Sequence, residues 1–258
     1  MTEGDDLINN FFLARQWAKH QTDYEISVHQ IGVRPWAYYE SGLNKYDNAF
    51  FSLDLLGSFS FREVVDRWTS EGLVLEAFGE GTLVRELIEY QVKQNRQMIR
   101  GGAAVTLADI RTNIQEKFDY TNNITLFEGD LYLGLMYGKI LKLLTEQRFG
   151  GFKLIVCDPE SGWSIGENEL KPPIELVWVV LRRLYTLLDN GGELFICLPT
   201  SVSFSDKKIN LFDSVSFWDR WITDCQNQNM DIKRGYGGTL RIVKNIDCKI
   251  PRFPTELL

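Results

Sequence analysis

From Gly72 onward, apolar positions run in short continuous blocks separated by amphipathic ones. Strand-like runs fall at Leu73–Glu76, Ala104–Ala108, Ile124–Phe127, Phe152–Cys157 and Glu193–Leu198. Helix-like runs lie between them, at Leu83–Gln94, Thr112–Lys117, Leu131–Arg148 and Ile174–Leu188. The strands are apolar throughout rather than alternating, as in a parallel sheet covered on both faces. Such alternation of strand and helix predicts a doubly wound α/β sheet. Asp189-Asn190-Gly191-Gly192 stops the fourth helix and leads into a strand. After a helix at Phe217–Asp224, the runs Met230–Tyr236 and Thr239–Asn245 flank Gly237-Gly238 and predict a closing hairpin. The expected architecture is a mostly parallel, seven-stranded sheet that ends antiparallel.

Residues 1–70 have a different texture. Leu7, Ile8, Phe11, Phe12 and Trp17 suit one face of a helix, and Gly32–Phe51 is turn-rich and aromatic. Phe59–Trp68 predicts a helix capped by Ser60, with Glu63 placed for a capping box. This stretch reads as a helical N-terminal extension, a lid or cap, packed on a main domain at 71–258.

Composition narrows the function classes. The chain has 258 residues, 44% of them hydrophobic, and a net charge of −7. That charge disfavours a dedicated non-specific nucleic-acid binder without excluding an enzyme that meets nucleic acid through a local patch. No apolar run reaches transmembrane length and Met1–His20 is no signal peptide, which predicts a cytoplasmic protein without membrane contact. Cys157, Cys197, Cys225 and Cys248 are widely spaced and read as free thiols. The only histidines are His20 and His29, so no histidine triad or metal centre is expected in the main domain.

The densest chemistry lies in Leu73–Leu83: an apolar strand, Glu76, the glycines Gly79 and Gly81, then a helix. Further acidic residues follow the later strands in order, as Ala108-Asp109, Glu128-Gly129-Asp130 and Asp158-Pro159. With the closing hairpin, this ordered set resembles a class I S-adenosylmethionine (SAM)-dependent methyltransferase, over roughly Gly72–Asn245. The resemblance implies that Glu76, with Phe78, Gly79 and Gly81, holds the methionine end of the cofactor. It implies that Asp109 and Ile110 meet the ribose, and that Asp130 and Leu131 meet the adenine. Capping stands beside these roles: Glu76 suits the following turn, and Asp109 and Asp130 suit the helices after them. The family's acid-x-Gly-x-Gly-x-Gly pattern is broken here, because Ala77 and Phe78 stand where its first glycine belongs. Glu76-Ala77-Phe78-Gly79-Glu80-Gly81-Thr82 is nearer the Asp-Pro-Phe-x-Gly-x-Gly-Thr variant of nucleic-acid amino-methyltransferases, one residue shorter.

Glu80 bears on the cofactor. A dinucleotide's diphosphate would sit at this helix start, and a carboxylate ~4 Å away opposes each phosphate charge by about 1 kcal/mol in water and several-fold more in a drier site. SAM carries a sulfonium and no phosphate. Val84 is too bulky for the third small position of a dinucleotide fingerprint, and no Gly-Lys-Ser/Thr occurs. SAM is therefore favoured over NAD.

The acceptor loop is expected at Asp158-Pro159-Glu160-Ser161. Asp158 is the candidate hydrogen-bond acceptor or base there, and it also borders the cofactor. Glu160 and Trp163 are secondary contacts, Trp163 as a stacking ring or a loop anchor. Cys157 precedes Asp158 in the apolar strand and reads as a core thiol. Asn44-Lys45-Tyr46-Asp47 reads as a loop placed to touch the methionine end or the acceptor. Lys233, Arg234, Arg241, Lys244, Lys249 and Arg252 give the tail a basic excess that suits a phosphate backbone or a solvated face. The leading expectation is a SAM-dependent methyltransferase, with RNA or DNA slightly favoured over a small molecule or protein as acceptor. The alternatives are a catalytically silent module of the same fold and an NAD(P)-dependent oxidoreductase.

Overall fold

The computed structural model describes residues 43, 46, 47, 50, 59–106, 115–158, 171–204, 207–235 and 238–258. The strands are β1 (Gly72–Ala77), β2 (Ile99–Thr106), β3 (Gln115–Asp119), β4 (Ile124–Glu128), β5 (Phe152–Cys157), β6 (Leu188–Cys197), β7 (Ser201–Phe204), β8 (Lys207–Asn210), β9 (Asp231–Arg234) and β10 (Thr239–Val243). The helices are α1 (Phe61–Asp66), α2 (Thr82–Lys93), α3 (Gly134–Gln147), α4 (Ile174–Thr186) and α5 (Val215–Asn227). Leu43, Tyr46, Asp47 and Phe50 are helical as well.

Eight strands form one sheet in the order β3-β4-β2-β1-β5-β6-β10-β9, and β7-β8 is a separate hairpin. β4, β2, β1, β5 and β6 are mutually parallel, whereas β10 runs antiparallel between β6 and β9. The predicted doubly wound sheet with an antiparallel end is thus present. It has eight strands rather than seven because β3 adds an antiparallel edge on β4. The helix expected at Thr112–Lys117 is the part that fails: its described end lies in β3. Pairing with β4 overrides the weak local preference of Gln115-Glu116-Lys117.

Glycines explain the early start of β2. A Cβ on Gly102 would sit 2.1 Å from the Val74 carbonyl oxygen, and one on Gly101, at φ +133°, 2.2 Å from that of Asn123. Only glycine lets the neighbouring backbones approach this closely. Gly191-Gly192 likewise lies within β6 rather than in a turn before it, beside a register shift between Phe152 and Leu154.

The two faces of the sheet bury different partners. Leu73, Leu75, Ala77, Ile155 and Cys157 pack in the cluster with α3, α4 and α5. Val74, Leu154, Val156 and Phe195 pack in the other, with Leu43, Tyr46, Phe50, α1 and α2. Phe50, Phe59 and Phe61 all set their rings against Phe195, with centroids 4.9–5.7 Å apart. Ser60 caps α1 as expected, its side chain accepting from the Arg62 N–H. Among the described residues, no helix is long and apolar enough to cross a membrane.

Candidate functional site

Side chains alternate along a strand, so the parity of Val74 sends Glu76 toward the α2 face, and that of Leu154 and Val156 sends Asp158 the same way. β1 and β5 are neighbours, with Glu76 opposite Val156. Two buried carboxylates, 2% and 7% exposed, therefore stand at the carboxyl ends of adjacent strands on one face. The Tyr46 ring, 2% exposed, faces them from the N-terminal segment.

Glu76 is fixed on both oxygens. The Leu83 N–H donates to Oε2 at 2.9 Å, and the Tyr46 hydroxyl donates to Oε1 at 3.1 Å. Gly81, the α2 N-cap, offers no side chain to the helix start. Glu76 supplies that capping acceptor from the end of β1, where a negative charge also favours the helix dipole. The capping role weighed in the sequence is thus met. A Cβ on Gly79 would lie 1.9 Å from Glu76 Oε1, and the Gly79 N–H pairs with the Val105 carbonyl. Gly79 is glycine because the carboxylate occupies the place of its side chain.

The missing glycine of the motif has a backbone counterpart. Phe78 has φ 65° and Gly81 φ 81°, both left-handed. At Phe78 the turn keeps a conformation suited to glycine and carries a side chain packed against the core, at a cost of about 1–2 kcal/mol.

Burial raises the Tyr46 hydroxyl well above its ordinary range, and the charges of Glu76 and Asp158 push it further. The phenol therefore stays protonated and acts as a donor. Burial likewise raises Cys157, with Asp158 adding to it, as fits the core thiol expected from the sequence.

Asp130 is 2% exposed, and its Oδ1 accepts from the Tyr132 N–H at 3.0 Å. This two-residue Asx link shapes the entry to α3. The helix starts at Gly134, not at Leu131, and its N-cap is Leu133, so Asp130 is not the cap. Leu131 is fully buried in the core. Sequence reasoning passed over Tyr137, whose buried hydroxyl has no hydrogen-bond partner among the described residues. Arg183 stacks on that ring at 5.0 Å and donates to the Tyr132 carbonyl. Tyr46 belongs to a stretch that reads as loop in the sequence, but it sits in a helix. Leu43, Tyr46 and Phe50 recur at helical spacing, the signal that would have revealed it.

Asp109, Ile110, Glu160 and Trp163 lie outside the described residues. The β7-β8 hairpin holds Lys171 and Pro172: the Ser203 hydroxyl donates to the Lys171 carbonyl and its N–H to that of Pro172. Among the tail cations, Arg241 pairs with Glu193 at 2.7 Å, and Lys244 donates to the carbonyls of Thr186 and Leu188. Arg234 stacks on Trp218 and Arg252 on Trp178. These four cations serve the protein's own packing, which weakens the phosphate-backbone option. No group of histidine, cysteine and carboxylate side chains fit for a metal occurs among the described residues.

The strand order, with an antiparallel strand next to last, is that of the class I, Rossmann-like methyltransferase fold. No protein-family model matches the chain, and no curated protein does. Solved structures do resemble it. MycE methyltransferase of the mycinamycin biosynthetic pathway, solved with Mg and S-adenosylhomocysteine (SAH), aligns at TM-score 0.45 and 13% identity. That alignment covers 81% of this chain and 56% of MycE. A Listeria monocytogenes protein described as a class I SAM-dependent methyltransferase aligns at 0.43 and 12% identity, over 91% of this chain and 70% of its own. A Plasmodium falciparum protein described as a ribosomal RNA methyltransferase aligns at 0.41 and 11%, over 81% of this chain and 95% of its own. Superpositions this loose leave the site to be read from the chain's own residues.

Proposed function

We propose that the chain is a SAM-dependent methyltransferase whose cofactor lies across the carboxyl ends of β1, β2 and β4. The observation that carries this reading is the pair of buried carboxylates, Glu76 and Asp158, beside a glycine turn with exposed Glu80 at its tip. Such a site suits a cationic ligand and repels a diphosphate, by the Coulomb argument applied to the sequence. An ammonium and a sulfonium fit this set of carboxylates.

In this reading Glu76, Phe78, Gly79 and Gly81 form the methionine end, Asp109 and Ile110 take the ribose, and Asp130 and Leu131 border the adenine. The bound cofactor supplies a methyl group already activated on sulfur. The chain's residues align the acceptor with it and keep water out, which accounts for much of the rate in a displacement of this kind. Asp158 accepts a hydrogen bond, or the proton, from the attacking acceptor atom. Glu160 and Trp163 contact the acceptor, and residues 1–70 cover the site.

The test is a structure determined with SAH. The ligand should lie against Gly79–Gly81, with its ammonium at Glu76. SAH bound elsewhere, or NAD taken at the turn instead, would overturn the assignment. Incubation with methyl-labelled SAM and a cell extract that supplies RNA, DNA, proteins and small molecules then separates an enzyme from a silent module: label must pass to an acceptor, with SAH formed alongside, and both must fall when Asp158 is changed to Ala.

A further inference from the structure

We propose that Tyr46 is a positioning residue for the amino-acid end of the cofactor: its hydroxyl sets the Glu76 carboxylate that receives the ligand's α-ammonium. This rests on the reading of Glu76 as the methionine-end carboxylate, and it makes the N-terminal segment part of the site as well as a cover over it.

The geometry is specific. Tyr46 and Glu76 are 30 residues apart in sequence, yet their side chains share a buried hydrogen bond of 3.1 Å. The segment bearing Tyr46 is fastened on either side of it. The Leu43 N–H donates to Glu86 of α2 at 2.8 Å, and Asp47 Oδ1 accepts from the Phe61 N–H of α1 at 2.8 Å. Phe50 seats its ring on Phe61 and Phe195. The hydroxyl is therefore delivered by residues held against α1, α2 and β6, as a positioning group must be.

The chemistry follows from donor and acceptor counts. An ionised carboxylate has about four acceptor positions and can take several donors. Leu83 holds one oxygen and Tyr46 the other, which fixes the plane of the group that receives the ammonium. Tyr46 must stay protonated for this. Burial and the two facing carboxylates keep it so, with Cys157 acting in the same sense. A phenylalanine at this position would fill the same space and leave Oε1 without that donor.

The experiment compares two ligands on the full chain. SAH carries the amino-acid arm, and 5′-methylthioadenosine lacks it. Calorimetry on the native protein and on Tyr46→Phe should show SAH weakened on the order of tenfold, the scale of one hydrogen bond to a charged group. Methylthioadenosine should stay within about twofold, because it lacks the ammonium that Glu76 receives. Glu76→Gln should show the same selectivity, and adding Tyr46→Phe to it should cost SAH little more, since the two act as one unit. Equal weakening of both ligands, no weakening of either, or additive losses in the double variant would overturn the proposal. A native protein that binds neither ligand is a different failure. It removes the cofactor reading itself, and the proposal with it, before any substitution is made.

Discussion

Gly79→Ala tests the packing at the heart of the site. The new Cβ would fall 1.9 Å from Glu76 Oε1 and 2.4 Å from its carboxyl carbon, far inside contact distance. Glu76 cannot swing aside cheaply, because Leu83 and Tyr46 hold both its oxygens. Hydrogen bonds to a charged group contribute about 1.5–3 kcal/mol each. Allowing for partial relaxation, the expected destabilisation is about 2–5 kcal/mol, since overpacking adds about 1–3 of its own. For a chain of this size that lowers the melting temperature by roughly 5–15 °C. The assay is urea unfolding followed by circular dichroism and tryptophan fluorescence, with Gly81→Ala as control. Gly81 is left-handed, and its new Cβ would meet the Leu126 methyl at 3.1 Å and Ala104 and Ile124 at an ordinary 3.6 Å, so strain should dominate and cost about 1–2 kcal/mol. The cycle with Glu76→Ala decides the cause: removing the carboxylate first should relieve the Gly79→Ala penalty by about 1–3 kcal/mol. A Gly79→Ala protein within about 0.5 kcal/mol of native, or an additive double variant, would show that the carboxylate does not stand against the turn.

Three further outcomes are expected. Tyr137→Phe removes a buried hydroxyl without a partner among the described residues and should stabilise the chain by about 1 kcal/mol in urea unfolding; a comparable loss would reveal a partner for that hydroxyl. Hydrogen bonds from Asn122 and Arg85 hold Asp119 at about 2, below its ordinary 3.8. Its contribution is therefore complete above pH 4 and is lost as pH falls toward 2; the native and Asp119→Asn unfolding curves should converge across that window, and a constant gap would refute it. Asp109→Ala should weaken SAM binding by about 1–3 kcal/mol if it holds the ribose. An unchanged dissociation constant with lowered thermal stability would give Asp109 a structural role instead.

Much of the framework was legible from periodicity alone. β1, β5, α2 and α4 are long apolar or amphipathic blocks, and their pattern agrees with their tertiary place. The failures have particular causes. Gly101-Gly102 looks like a strand breaker but lies inside β2, because the backbones of Val74 and Asn123 leave no room for a side chain. Gln115–Asp119 has no strong strand signal and becomes one by pairing at an edge. The four-residue strands β7 and β8 are too short for periodicity to separate from loop. At the site, Glu76, Gly79 and Gly81 could be singled out because the chemistry is local to one turn. The bond from Tyr46 to Glu76 could not be, since it depends on which face of β1 the N-terminal segment covers.

Titration calorimetry of the native chain with SAH and, separately, with NAD tests the central claim most directly. The account expects one SAH site per chain and no heat from NAD at near-millimolar concentration. NAD binding without SAH binding would contradict it.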